Sequence, residues 1–363
     1  MPDFNRKKPY TPQLPEGSRI EKIDLEYKDE LKEARVSLAE LKAFGFSMPN
    51  PLLLLNPVVL RESLASSEIE NIHTTLEDVL QNQIFPERER NDQDKKVLRH
   101  RDAMIWGYRK VKEDNLPVST RLCIGLHNKL MPNYPRQFRD QQNKIKNETT
   151  GDVIYTPPIA SKVPDLISEW EKFVNKNEDV DPLLKTILSH YYFEAIHPFS
   201  DGNGRTGRVL MVLQLIQDDL LIWPVLYISG YISRNKADYL KLLRNITEKD
   251  NWEDYVGFML KGFKKQAEET NEMLFSIMDL FEITKEVVKN EKSSIYSADL
   301  VQCLFSNPYI TSTKLAEKLD IHRNTAMRYL KELKKIGLLK GEKIGKYRIF
   351  MNHKLVNLMQ SDD

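Results

Sequence analysis

Apolar positions along this chain recur mostly with a helical period and rarely alternate, a pattern that predicts a mainly α protein. From about Leu25 to Glu291, segments rich in Glu, Leu and Lys alternate with short Pro or Asn breaks. Leu183, Leu184, Ile187, Leu188, Tyr191, Tyr192, Ala195 and Ile196 fall at helical spacing and predict a buried helix. Pro198 cannot continue that helix and biases His197 away from the α region, which places His197 at the end of a rigid element. Val209, Leu210, Val212, Leu213, Leu215 and Ile216 resume the helical pattern from about Gly204.

Two stretches break the rule. Between Gln141 and Pro158, polar and turn residues surround Gly151, and Val153, Ile154 and Tyr155 form a short β-prone run, which predicts a hairpin. Beyond the polar stretch 289–294 the pattern changes again. Leu300, Val301 and Leu304 predict one helix, Thr311 opens a second, and a third follows Ile321 and His322 and stops at Gly337. The last segment reads as a hairpin with Gly341 and Gly345 near its tip. Three helices and a wing in that order predict a winged helix-turn-helix domain.

Composition adds bounds. The 363 residues carry 54 Lys and Arg against 53 Asp and Glu, so no whole-molecule field points to nucleic acid or membrane. Between Thr311 and Arg348, however, 11 basic residues stand against 4 acidic ones. If that domain binds DNA, Arg323, Asn324, Thr325 and Arg328 face the major groove while Lys343, Lys346 and Arg348 reach phosphates. A docking or dimerisation module is the competing reading. The 2 cysteines, Cys123 and Cys303, lie far apart without a metal-ligand pattern, so a reducing, cytoplasmic setting is expected. No signal-peptide core opens the chain, and the apolar run 51–60 is too short to cross a membrane, so no membrane partner is expected. The first twenty or so residues, rich in Pro and charge, read as an extended arm.

Residues 197–208 read His-Pro-Phe-Ser-Asp-Gly-Asn-Gly-Arg-Thr-Gly-Arg. His197 is a candidate general base, because its ordinary pKa lies near working pH. Asp201 is a candidate Mg²⁺ ligand, a hard carboxylate for a hard cation. Gly202, Gly204 and Gly207 permit a sharp turn onto a helix N-terminus, which attracts anions. Arg205 and Arg208 supply planar forks for phosphate. Phe199 is expected to pin the loop into the core.

This segment matches the Fic-domain signature at every fixed position, and the chain resembles that family. The resemblance implies transfer of AMP from ATP to a Ser, Thr or Tyr hydroxyl of a target protein, or of the enzyme itself, with release of pyrophosphate. It assigns proton abstraction to His197, Mg²⁺ to Asp201, and the ATP site to Gly202, Asn203, Gly204, Arg205, Thr206, Gly207 and Arg208. Residues 66–71, Ser-Ser-Glu-Ile-Glu-Asn, resemble the family's inhibitory motif through Ser66, Glu70 and Asn71. In that likeness Glu70 pairs with Arg208 and withholds a charge clamp from the nucleotide. Read alone, the same spacing fits an exposed helix face. The hairpin with Gly151, Val153, Ile154 and Tyr155 resembles the family's flap, which docks the target segment by strand pairing. Phe138, Arg139 and Asn143 resemble the approach to it, with Arg136 where a Gly is usual. Tyr239 is the candidate to sit against adenine.

The expected architecture is a Fic-type helical bundle with a small β-hairpin flap and a C-terminal winged helix-turn-helix domain. The expected boundaries are 1–110 for the N-terminal region with the inhibitory helix, 111–262 for the core, 263–293 for a helical linker and 294–363 for the winged domain. The leading functional expectation is an autoinhibited protein adenylyltransferase using ATP and Mg²⁺, with a homodimer suited to the winged domain. Removal of AMP at the same site is a further implication of the resemblance. The competing expectation is a DNA-binding transcriptional regulator whose Fic core senses nucleotide.

Overall fold

The structure is a computed structural model that describes residues 4–47, 51–147, 150–176, 179–344 and 347–360. Gly345 and Lys346, expected at the wing, lie outside the described residues. The extended arm runs to Glu16, and Tyr10 N–H donates to Thr156 O at 3.0 Å, which lays the arm along the base of the hairpin.

The N-terminal region holds α1 (Gly17–Glu26), α2 (Lys28–Ser47), α3 (Pro51–Ile69), α4 (Leu76–Asn82) and α5 (Asp92–Lys112). After α6 (Thr120–Leu130), β1 (Ile145–Lys146) and β2 (Val153–Tyr155) form an antiparallel hairpin with Ile145 opposite Tyr155. The helices α7 (Val163–Lys176), α8 (Pro182–Ile196), α9 (Asn203–Gln217), α10 (Ile228–Arg234) and α11 (Lys236–Lys249) complete the core. Helix starts follow the side chains that cap them: Asn91 opens α5, Ser119 opens α6, and Asp181 with Pro182 at the first turn opens α8.

The sequence pattern decides the layering. Nearly every residue of α8 and α9 is buried, so these two sit at the centre, packed on each other and on α7, α5 and α6. A helix buried all round has no solvent face for a charge. Arg205 and Arg208 on α9 therefore need partners inside the molecule.

α12 (Trp252–Glu291) is one helix of 40 residues packed along α2. The expected boundary between 262 and 263 falls inside it, with no break, because Gly262, Phe263, Gln266 and Ala267 stay on its buried face. At its far end come α13 (Ala298–Ser306), β3 (Tyr309–Ile310), α14 (Ser312–Leu319), α15 (Arg323–Lys335), β4 (Lys340–Ile344), β5 (Tyr347–Met351) and α16 (His353–Gln360). The strand order is β3-β5-β4, all antiparallel, with the β4–β5 hairpin after three helices, the order the sequence expectation of a winged helix calls for. Thr311 caps α14 and Gly337 follows α15 at φ 75°, as the sequence suggests. α16 was not foreseen.

Candidate active site

Helix α8 ends on His197, which takes φ 51° and ψ 60° while its N–H reaches Phe193 O at 3.1 Å. This is a left-handed helix end. The sequence predicts that His197 leaves the helical region. The structure adds that it goes left-handed rather than extended, at a cost of about 1 kcal/mol for a residue with a Cβ. The flap's approach holds that conformation. Arg139 Nε donates to His197 O at 2.9 Å and its backbone N–H to Pro198 O at 2.9 Å, while its other nitrogens reach Gln141 O and Pro158 O. The Tyr155 hydroxyl donates to Ala195 O at 2.7 Å, and Asn143 Nδ2 to Phe199 O at 3.1 Å. The carbonyls at the end of α8 and just beyond it are thus taken up by the hairpin and its lead-in.

Phe199 is buried as expected and stacks on His127, with ring centroids 3.8 Å apart. The Asn203 side chain is spent on the same loop, accepting from Phe199 N–H at 2.8 Å and donating to Phe199 O at 2.9 Å. The Thr206 hydroxyl turns inward to Gly202 O at 2.8 Å. What these residues can offer an anion is therefore backbone N–H at the positive end of α9. Gly202 precedes that helix at φ 79°, a conformation that favours glycine, and no side chain caps the helix. A Cβ on Gly204 would lie 2.2 Å from Glu70 Oε1, so the Glu70 carboxylate rests against the first turn of α9.

Glu70 reaches that place through the way α3 ends. Ile72 N–H bonds to Ser67 O at 3.0 Å and Asn71 N–H to Glu68 O at 2.9 Å, with Asn71 at φ 57°. These two bonds define a Schellman end, in which Asn71 is the left-handed residue and Glu70 the C-cap just past the last helical residue, Ile69. Glu70 N–H turns to Ser67 O at 3.0 Å, which leaves the Ser66 carbonyl to another donor. Arg208 takes it. Its Nη2 donates to Ser66 O at 2.8 Å and to Glu70 Oε1 at 2.8 Å, and its Nε donates to Ser66 Oγ at 2.8 Å. The three sequence-predicted residues Ser66, Glu70 and Asn71 are thus brought to Arg208, the first two by contact and the third by shaping the turn. Lys236 Nζ donates to Asn71 Oδ1 at 2.8 Å and fixes that turn from α11.

The charges are unequally exposed. Arg208 is 1% exposed, whereas Glu70 keeps 35% of its side chain accessible. Burial alone raises the Glu70 pKa, but Arg208, Arg205 and His197 outweigh it and hold the carboxyl below its usual value. Arg205 is buried with Nε and Nη1 unpartnered, while Nη2 meets only the Met131 sulfur at 3.1 Å. A buried guanidinium with two nitrogens free of hydrogen bonds among the described residues, beside a helix N-terminus, can accept an anion. His197 is pushed down to about 4, first by burial and then by the Arg139 guanidinium. Its Nδ1 is buried and lacks a well-aligned partner, although the Glu194 carbonyl pulls the pKa the other way.

Asp201 is exposed at the rim. Its Oδ1 accepts from Gly202 N–H at 2.6 Å and its Oδ2 from the Tyr134 hydroxyl at 3.1 Å. Among the described residues, no group of three His, Cys, Asp or Glu forms a metal cage. A single rim carboxylate suits Mg²⁺, which is held by one or two carboxylates together with substrate phosphates and water.

Tyr239 corrects the sequence expectation. It is 2% exposed, its hydroxyl meets His190 Nε2 at 2.8 Å, and its ring packs near Phe258. An enclosed ring has no face for a base, so Tyr239 belongs to the floor under Arg208. Glu194 went unnoticed in the sequence. Its Oε1 is buried without a partner and would lie 2.3 Å from a Cβ on Gly207. Burial, opposed by Arg208, raises it to about 7. Its place three residues before His197 was the available signal.

The flap's Gly151 sits at φ 73°, and Val153 and Ile154 are half-buried. Arg323, Asn324 and Arg328 are exposed on α15, with Thr325 half-buried.

Three family models match this chain: the Fic/DOC family N-terminal region over 28–109, the Fic/DOC family over 117–215, and the C-terminal domain of SoFic-like protein adenylyltransferases over 280–355. A probable protein adenylyltransferase of Aquifex aeolicus is 31% identical over 133 residues, 36% of this chain and 38% of that protein. A protein adenylyltransferase Fic of Culex quinquefasciatus is 32% identical over 90 residues, 24% of this chain and 17% of that protein. The chain thus spans well under half of the curated relatives it matches. A crystal structure of a Fic family protein from Desulfovibrio desulfuricans superposes with a TM-score of 0.55 at 21% identity, covering 94% of this chain and 98% of that one.

Proposed function

This chain carries a Fic/DOC domain between a Fic/DOC N-terminal region and a SoFic-like C-terminal domain, and on that premise we propose an autoinhibited protein adenylyltransferase. ATP donates AMP to a hydroxyl of a target protein or of the enzyme itself, and pyrophosphate leaves. The observation that carries this reading is the Glu70–Arg208 pair laid against the first turn of α9.

Each group then has a task. His197 accepts the proton of the attacking hydroxyl, whose oxygen bonds to the α-phosphorus as the bond to pyrophosphate breaks. The first-turn N–H groups of α9 and the free Arg205 nitrogens hold the phosphates and neutralise charge in the transition state. Arg208 completes that set only after Glu70 yields it. Mg²⁺ at Asp201 would supply further neutralisation. Burial and Arg139 hold the His197 pKa down, so its neutral, proton-accepting form prevails, and bound phosphates would strengthen it as a base by placing negative charge beside it. As a docking edge, the hairpin's Val153–Tyr155 strand would hold the target segment by strand pairing.

The test is exposure of purified protein to labelled ATP and Mg²⁺. Glu70→Gly is expected to label itself far more than the wild type, and Glu70→Gly with His197→Ala to stay unlabelled. A silent Glu70→Gly protein would overturn the reading. A second reading, docking of duplex DNA, is favoured by the exposed Arg323, Asn324 and Arg328. Gel shifts that weaken steeply with salt and with Arg328→Ala would support it. A cytoplasmic location suits the reading, since Cys123 and Cys303 are both unpaired.

A further inference from the structure

The inhibitory Glu70 sits in a turn between two helices, α3 before it and α4 after it. The C-terminal winged domain touches both. On the α3 side, α13 and α16 pack against the helix, and Asn56 Nδ2 donates to Ser306 O at 3.1 Å. On the α4 side, the hydroxyl of buried Tyr309 donates to Glu77 at 3.0 Å, in the first turn of α4. Further along, the wing residue Tyr347 packs its ring 5.1 Å from that of Phe85 and donates to Glu89 at 3.2 Å. These contacts join segments more than 200 residues apart in sequence. No feature of the active-site chemistry requires them.

A helix gripped near its start transmits that grip to its end, because a packed helix moves as a unit. The Schellman end fixes Glu70 rigidly to α3, and the 71–75 segment ties it to α4. We infer that the winged domain is a clamp on the inhibitory turn: by holding α3 and α4 together it keeps Glu70 on Arg208, and loosening that hold releases Arg208 to nucleotide. The inference rests on the reading of Glu70 as inhibitor. It assigns to the C-terminal domain the setting of the resting activity, so a ligand docking on that domain would act on the site from a distance.

The two alternatives for Glu70 are separable. If only its side chain swings away, the clamp has no influence. If the turn itself must move, the clamp opposes the motion. Tyr309→Phe removes one hydroxyl from a buried position and keeps the ring, so it leaves the fold intact. Tyr347→Ala removes the wing's contact with Phe85 and Glu89.

The experiment measures self-labelling by ATP for full-length wild type, Tyr309→Phe, Tyr347→Ala and the double variant, each with Glu70 and with Glu70→Gly. Thermal melts confirm that each variant is folded. With Glu70 present, each clamp variant is expected to raise labelling about two- to tenfold, the bias that one net hydrogen bond confers. With Glu70→Gly the same substitutions are expected to change nothing, because there is no inhibitor left to hold. Hydrogen exchange at 67–72 should quicken in the clamp variants. Activation by Glu70→Gly with no effect of any folded clamp variant would overturn the clamp and leave the adenylyltransferase reading standing. Equal activation in both backgrounds would also overturn it, since the effect would then bypass Glu70. A silent Glu70→Gly protein would instead strike the reading on which the clamp rests.

Discussion

Replacing Glu70 by Gln should make this protein less stable and more active at once. Arg208 is 1% exposed and keeps its bonds to Ser66 Oγ and Ser66 O in the variant. Removing one partner of a fully buried ion pair costs about 3–5 kcal/mol. Glu70, however, keeps 35% of its side chain accessible, so solvent screens the pair, and about 1–2 kcal/mol is the fitting figure. In a chain of this size that lowers the melting temperature by roughly 1–4 °C. The same energy no longer opposes nucleotide, so the apparent KM for ATP falls about five- to thirtyfold. Melting curves with and without ATP, together with labelling against ATP concentration, read both effects. ATP should raise the melting temperature more in the variant than in the wild type. A variant that melts earlier yet binds ATP no better would refute the argument, because the pair would then be a brace and nothing more.

Other perturbations follow from the same geometry. His197 is lowered from 6.5 to about 4 by burial and by Arg139, so its neutral form is the folded one. That contribution to stability is present in full above pH 6.5 and is lost as pH falls toward 4, which melts recorded across this window would reveal. Arg139→Ala should raise the His197 pKa, seen by NMR titration, and cut transfer at least tenfold by freeing the left-handed helix end. An unmoved titration would count against the placement of that guanidinium. Gly207→Ala should cost about 1–3 kcal/mol, because its Cβ would meet buried Glu194 Oε1 at 2.3 Å. Asp201→Asn should shift the Mg²⁺ dependence of labelling to higher concentration, and an unchanged dependence would remove Asp201 from the metal's path.

Much of this was legible because two patterns coincide. The apolar run from Leu183 to Ile196 could only be a buried helix, and the glycines after it could only open another, so the cradle was visible in one short segment. The helix ends of the C-terminal domain were visible because Thr311 and Gly337 mark them whatever surrounds them. What escaped depended on distance in sequence. Glu194 looks like any helical glutamate until α9 lies across it at Gly207. Tyr239 reads as a ligand contact in the sequence because a tyrosine on an amphipathic helix shows no sign of which side will be closed. Here His190 and Phe258 close it. The hold of Tyr309 and Tyr347 on the α4 region joins parts of the chain that no local pattern relates. Nor does any local pattern reveal that α12 runs unbroken from the core to the winged domain.

The Schellman end of α3 has a consequence for how firmly the site stays shut. A carboxylate at the C-cap of a helix faces the negative pole of that helix, so α3 itself pushes Glu70 away. The positive pole of α9 and the Arg208 fork, with Arg205 and His197 nearby, draw it in. In the proposed reading the guard on this site is thus disfavoured by the element that bears it and welcomed by the element it would block. A richer anion arriving at α9 would then compete with a lodger whose own helix favours its eviction, which would help make the closed state reversible.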